Sequence, residues 1–278
     1  MRKALGVPQR RAGDKIVSDE RTRNTAAFYD EYWPKNVPNA DRTRAHIRSI
    51  VPPGSYRRAL DGGCGTGVCS LSLSEIADSV VGLDISQGSL ETARDLAQSK
   101  KCDNLTFCRA SLLELPFDEG SFDLVLSWGV IHHTVSPIQA LDELVRVLQP
   151  GGTLVLAVYL KTALTPVHEA IRRACLKLPP SLGRVSIRLG AGVVRLAQRL
   201  GYSNNVRDDN DRIESQVEDW YFVPEKHFFS IREMEELFTQ RRLTFELACS
   251  QTGRFRSSSN FIVLGRKVEE TWLNLSGV

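Results

Sequence analysis

Leu60-Asp61-Gly62-Gly63-Cys64-Gly65-Thr66-Gly67 decides the fold. A strand over 56–61 runs into this glycine cluster, and a helix to about 77 follows. Glycines in a strand-to-helix turn let the backbone bend tightly and approach a ligand closely. Dinucleotide-binding turns use G-x-G-x-x-G. Here the spacing is Gly63-x-Gly65-x-Gly67, with Val68 next and the acid Asp61 in front. A carboxylate there attracts a cationic amino-acid tail and repels a pyrophosphate. A second acid, Asp84, ends the next strand, 79–84, where an acceptor would take hydrogen bonds from both hydroxyls of a ribose. Alone, Asp84 reads equally as a capping or surface acid; in strand–loop–helix–strand order the two acids point to a nucleoside site.

The pattern repeats outward. Ser86 caps a helix running to about 99, with strands at 105–110 and 122–127. Ser136-Pro137 opens another helix, which Pro150-Gly151-Gly152 stops before a strand at 153–159. Apolar strands alternating with helices predict a parallel sheet covered on both faces. Helices are also expected over 25–50, 165–177 and through Val185–Leu196, although Gly190 and Gly192 weaken the last. A polar loop over 203–216 follows. A helix at 230–241 and strands near 244–249 and 261–265 close the chain as a hairpin.

These motifs, with Val81-Gly82-Leu83-Asp84-Ile85-Ser86, Leu115-Pro116-Phe117, Ser121-Phe122-Asp123-Leu124-Val125 and Glu143-Leu144-Val145-Arg146-Val147-Leu148, resemble the class I S-adenosylmethionine (SAM)-dependent methyltransferases. The small-molecule group that includes the ubiquinone and menaquinone enzymes is the nearest in kind. The resemblance runs from 56 to 159 and returns weakly over 227–267. It implies a Rossmann-like, seven-stranded, mostly parallel α/β sheet with an antiparallel C-terminal hairpin and helices on both faces. A flexible arm (1–23), cap helices (24–54), a SAM-binding core (55–160), a helical lid insertion (161–226) and a closing helix and hairpin (227–268) would divide the chain.

By that resemblance Asp61, Gly63, Cys64, Gly65 and Gly67 hold the methionine moiety and Asp84 the ribose. The adenine lies between Ile85 and the turn with Ser111 and Leu112. Ser127 and Trp128 face the methionine end, and Tyr29 closes over SAM. Two departures stand out: Ser111 replaces an aspartate common in relatives, and Arg242-Leu243 stands where Gly-Phe is usual. Tyr32, Trp33, Trp220 and Tyr221 are candidates for an aromatic acceptor pocket, and read equally as packing. His132 and His133 are candidate bases, since imidazole titrates near neutrality.

The expected activity is methyl transfer to O, N or C of a small aromatic or lipophilic metabolite, quinone-like or secondary. An RNA or protein methyltransferase and a non-catalytic SAM-binding scaffold are the rivals. Ser127-Trp128-Gly129-Val130 lacks the Asn/Asp-Pro-Pro-Tyr signature of base methylation. With 36 basic against 33 acidic residues, the charge balance argues against a nucleic-acid partner. No Cys or His cluster has metal-ligand spacing, and the six cysteines read as reduced thiols in a cytoplasmic protein. No apolar run has the roughly 18 residues that span a bilayer. The insertion helix carries an apolar stripe (Val185, Leu189, Val193, Leu196) beside Arg184, Arg188, Arg195 and Arg199. It is expected to be a lid packed stripe-inward, with contact to an anionic membrane as the other reading. Oligomeric state is not legible.

Overall fold

The computed structural model describes residues 19–199, 213–250 and 260–269. Helices α1 (Glu20–Lys35) and α2 (Ala40–Ile50) precede β1 (Tyr56–Gly62), α3 (Val68–Leu73), β2 (Ala77–Asp84), α4 (Gln87–Ser99), β3 (Leu105–Arg109) and β4 (Phe122–Trp128). Then come α5 (Pro137–Val147), β5 (Leu148–Tyr159), α6 (Thr165–Cys175), α7 (Pro180–Arg199), α8 (Ile213–Tyr221), α9 (Ile231–Gln240), β6 (Glu246–Ser250) and β7 (Asn260–Arg266). The sheet order is β3-β2-β1-β4-β5-β7-β6. Strands β1 to β5 pair in parallel, and β7 runs antiparallel to both β5 and β6. This is the expected architecture.

Successive residues of one strand serve opposite faces of the sheet. Leu60 and Val125 enter a core with Leu141, Leu144 and Phe238 from α5 and α9, while Ala59 and Leu124 enter a second with Ile47 and Leu73 from α2 and α3. Because β1 and β4 are neighbours and the chain leaves them toward opposite sides, their carboxyl ends bound a crevice. Ligands of open α/β sheets bind there.

Several boundaries differ from the sequence reading. The arm over 1–23 ends earlier, because Asp19 caps α1 by accepting from the Thr22 amide and Glu20 already begins the helix; residues 1–18 lie outside the described residues. Helix α3 stops at Leu73 and β2 begins at Ala77, earlier than expected. Strand β5 runs back through Pro150-Gly151-Gly152, with a register shift opposite Phe122 and Leu124. Of the loop expected over 203–216, residues 213–216 are helical, and 203–212 lie outside the described residues. Helix α7 is continuous through Gly190 because that glycine faces α8, where an added Cβ would lie 3.1 Å from Val217 Cγ1.

The largest departure concerns α7. Its expected inward stripe points outward: Val185, Leu189, Val193 and Leu196 are 50–68% exposed. The face packed inward is the other one, Ile187, Ala191 and Val194 against Ile213, Val217 and Tyr221.

Candidate active site

A cavity of about 270 Å³ occupies the crevice between β1 and β4. At one end the chain turns sharply, with Gly63, Gly65 and Gly67 at φ of 83°, 50° and 78°. The amides of Gly63 and Cys64 both donate to the Leu83 carbonyl, at 2.7 and 2.9 Å, which pins the loop to β2. A Cβ on Gly63 would sit 2.3 Å from Val130 Cγ1, so no side chain fits. Asp84 lies beside this loop. Its two oxygens accept from the amides of Gly65 (2.8 Å) and Ser86 (2.9 Å). A carboxylate offers about four lone-pair positions, so capacity remains for two hydroxyl donors. Burial raises the Asp84 carboxyl above its usual value, against the pull of those amides.

Helix α1 roofs this end. Asp30 accepts from the Ser86 hydroxyl (2.7 Å) and the Gly88 amide (3.1 Å), fastening α1 to the start of α4. Gly88 is required there, because a Cβ would lie 2.7 Å from the Asp30 carbonyl oxygen. The docking sets the Trp33 ring 3.8 Å from where a Gly65 Cβ would be. Arg21 grips Glu225 with two bonds of 2.7 and 2.6 Å, holding the other end of α1 to the segment after α8.

At the far end of the cavity stand His132, His133, Tyr159 and Asp219. His133 Nδ1 lies 2.9 Å from the Glu225 carbonyl oxygen. A carbonyl only accepts, so Nδ1 carries the hydrogen and Nε2 keeps its lone pair. Burial pushes His133 down to about 4. His132 is driven well below its ordinary value by burial and by its histidine neighbour, and neither of its ring nitrogens has a partner. Asp219 accepts from Tyr159 Oη at 3.0 Å and from Tyr29 Oη at 3.4 Å. Burial, then the Asp219 charge, raise both phenols well above their ordinary value.

The expected residues are sorted by this geometry. Gly63, Cys64, Gly65, Asp84, Ile85, Ser111, Leu112, Trp128, Tyr29 and Trp33 line the cavity, as do both histidines. Gly67 is the left-handed residue that starts α3. Asp61 sits beneath the loop, 1% exposed, with Oδ2 accepting from Ser70 at 2.6 Å. Ser127 is not on the cavity wall: it is fully buried and donates to the Gly62 carbonyl at 2.9 Å, bracing the turn. The Ser111 hydroxyl accepts from the Leu113 amide at 3.2 Å, which makes it part of its own turn. Tyr32, Trp220 and Tyr221 are not on the wall. Tyr32 donates to the Ser215 carbonyl, Trp220 packs on Tyr159 and Lys226, and the Tyr221 hydroxyl meets His168 at 2.9 Å. Tyr159, Asp219 and Thr25 line the cavity without having been anticipated.

Residues 60–156 match the family model described as a methyltransferase domain. Over this stretch the chain is similar to known methyltransferases. A demethylmenaquinone methyltransferase of Clavibacter sepedonicus is 37% identical over 139 residues, 50% of this chain and 54% of that one. One from Renibacterium salmoninarum is 29% identical over 193 residues, 66% of this chain and 78% of that one. A SAM-dependent methyltransferase from Methanosarcina mazei has the same fold, with a TM-score of 0.53 at 19% identity over 81% of this chain and 98% of that one. The chain spans about half the length of most curated relatives it matches.

The geometry of the site fits SAM. The glycine cradle leaves no room for side chains at Gly63, and Asp84 keeps lone pairs for a ribose. Asp61 Oδ1 is buried without a partner, and burial pushes that carboxyl up to about 7. A buried acceptor left unpaired costs about 1–3 kcal/mol, which an ammonium donor at the loop would recover.

Proposed function

We propose that this chain transfers the methyl group of SAM to a small, aromatic, quinone-like acceptor. One observation carries the reading: a single cavity joins the glycine loop and Asp84 at one end to a histidine, tyrosine and aspartate wall at the other. The names of the relatives from Clavibacter and Renibacterium, both demethylmenaquinone methyltransferases, favour a quinone-like acceptor.

When bound, SAM supplies a methyl group already activated by its sulfonium. Positioning and dryness are then what the chain must provide. Asp84 takes the ribose hydroxyls, and Leu112 with Ile85 gives the adenine apolar walls. Trp33 and Tyr29, held down by Asp30 and Arg21, keep water from the methyl end. On the acceptor side, the neutral Nε2 of His133 accepts a hydrogen bond from an acceptor hydroxyl and takes its proton as the new bond forms. Asp219, through Tyr29 and Tyr159, sets the polar edge of a pocket whose remaining wall is aromatic.

The test is incubation of the protein with SAM and a reduced naphthoquinone that is unsubstituted at one ring carbon, followed by mass spectrometry. A product heavier by one methyl, with equimolar S-adenosylhomocysteine, is expected. Turnover confined to RNA or protein acceptors would reject the small-molecule reading.

A further inference from the structure

Helix α7 has two apolar faces, and only one is used inside the protein. Ile187, Ala191 and Val194 pack on α8, and Gly183 and Gly190 make the approach close, with added Cβ atoms 3.3 Å from Phe222 and 3.1 Å from Val217. On the opposite side Leu182, Val185, Leu189, Val193 and Leu196 are 53, 50, 67, 68 and 57% exposed. Their spacing of 3, 4, 4 and 3 residues aligns them in one stripe. Gly192, near that stripe, meets nothing within 4 Å. The stripe runs from Leu182 to Leu196 of this 20-residue helix, so it is about 20 Å long.

Ten of the thirteen large apolar side chains exposed among the described residues lie between Leu164 and Leu196. Isolated exposed leucines are ordinary; such a concentration marks an interaction surface. Its border is basic. Residues 161–199 hold eight lysines and arginines and one acid, Glu169. Glu169 is already engaged by Arg172 at 3.1 Å. Arg184, Arg188 and Arg199 are exposed along one edge of the stripe, and Arg195 reaches Glu214 at 3.7 Å.

We propose that α7 seats the protein on an anionic lipid bilayer, with its outer stripe in the acyl boundary and its arginines among the headgroups. Among the described residues no helix is long and apolar enough to cross a membrane, and four arginines in 20 residues keep α7 in the interface plane. Charge chooses between lipid and a second copy. An antiparallel two-fold contact sets the same patch against itself and brings two arginine rows together, with Glu214, already 3.7 Å from Arg195, as the acid beside them. Anionic headgroups complement that row. The inference stands whatever the acceptor is.

The experiment is co-sedimentation of the full chain with sucrose-loaded vesicles, of phosphatidylcholine alone or mixed equally with phosphatidylglycerol. Binding to the mixed vesicles and little to the neutral ones is expected. Arg184→Gln and Arg188→Gln should each lower the partition coefficient about fivefold, the effect of one basic charge near the surface. Leu189→Glu with Val193→Glu should lower it more than tenfold with an unchanged melting temperature, since both positions are solvent-facing. Absence of binding by the folded wild type would overturn the proposal, and so would undiminished binding by the glutamate pair. A dimer in sedimentation velocity that the same pair dissociates, in a protein that ignores vesicles, would assign the stripe to a second copy instead.

Discussion

The Tyr159 hydroxyl donates to Asp219 at 3.0 Å, joining the end of β5 to α8 across 60 residues of chain. The Tyr29 hydroxyl reaches the other oxygen of the same carboxylate, so one aspartate holds the cap helix, the sheet and the insertion around the cavity. Asp219→Ala strands two buried phenols, each worth about 1–3 kcal/mol when unpaired. Melting should fall by roughly 5–15 °C, at about 2–4 °C per kcal/mol for a chain of this size. Asp219→Asn keeps an acceptor and should recover most of that loss in the same thermal scan. Equal melting of Asp219→Ala and wild type would remove the network from the account.

Gly63→Ala tests the cradle. The added Cβ meets Val130 at 2.3 Å, in a backbone region that costs an L-residue about 1–2 kcal/mol on its own. SAM affinity should fall at least tenfold. Adding Val130→Ala should restore part of it by clearing the clash, but not all, because the positive φ remains. Full recovery in the double variant would show that backbone conformation has no share in the effect.

Asp61 predicts a proton count. Burial holds its carboxyl up to about 7, whereas a bound ammonium favours the ionised form. Cofactor binding should therefore release roughly half a proton at pH 7, and affinity should rise with pH between about 6 and 8. Calorimetry in buffers of different ionisation enthalpy measures the release. Asp61→Asn should bring it to zero and weaken binding.

His133 predicts the acid limb of stability. Its imidazole falls from 6.5 to about 4 on folding, so the unfolded chain binds more protons between those values. The stabilising difference is complete above about 6.5 and is lost as pH falls toward 4, at most roughly 3.4 kcal/mol. Asp61, raised on folding, works in the opposite sense over the same range. Comparing urea midpoints of wild type and His133→Gln at pH 7.5 and 5 isolates the histidine: the wild type should lose more than the variant.

Much of the sheet was legible because its signals are local. Asp61 to Gly67, Asp84 at the end of a strand and Ser136-Pro137 before a helix are each fixed by chemistry within a few residues. What the sequence could not convey was direction in space. Ser127 lies near the end of β4, which enters the crevice, yet strand alternation turns its hydroxyl under the Gly62 carbonyl. The stripe of α7 was legible as a stripe, but its burial depended on whether α8 packed on it or on the opposite face, where Gly190 permits close approach. Asp219 was missed because α8 adjoins a polar stretch that reads as a loop. The i, i+4 spacing of Ile213, Val217 and Tyr221 was the available signal: it makes a helix and puts Asp219 on the far side, toward the cavity.

Calorimetric titration of SAM and S-adenosylhomocysteine into the folded wild type and Asp84→Ala tests the central claim most directly. Micromolar binding of both ligands to the wild type is predicted, with at least a hundredfold loss in Asp84→Ala. No binding to the wild type, or equal binding to both proteins, would contradict the assignment of this cavity to the cofactor.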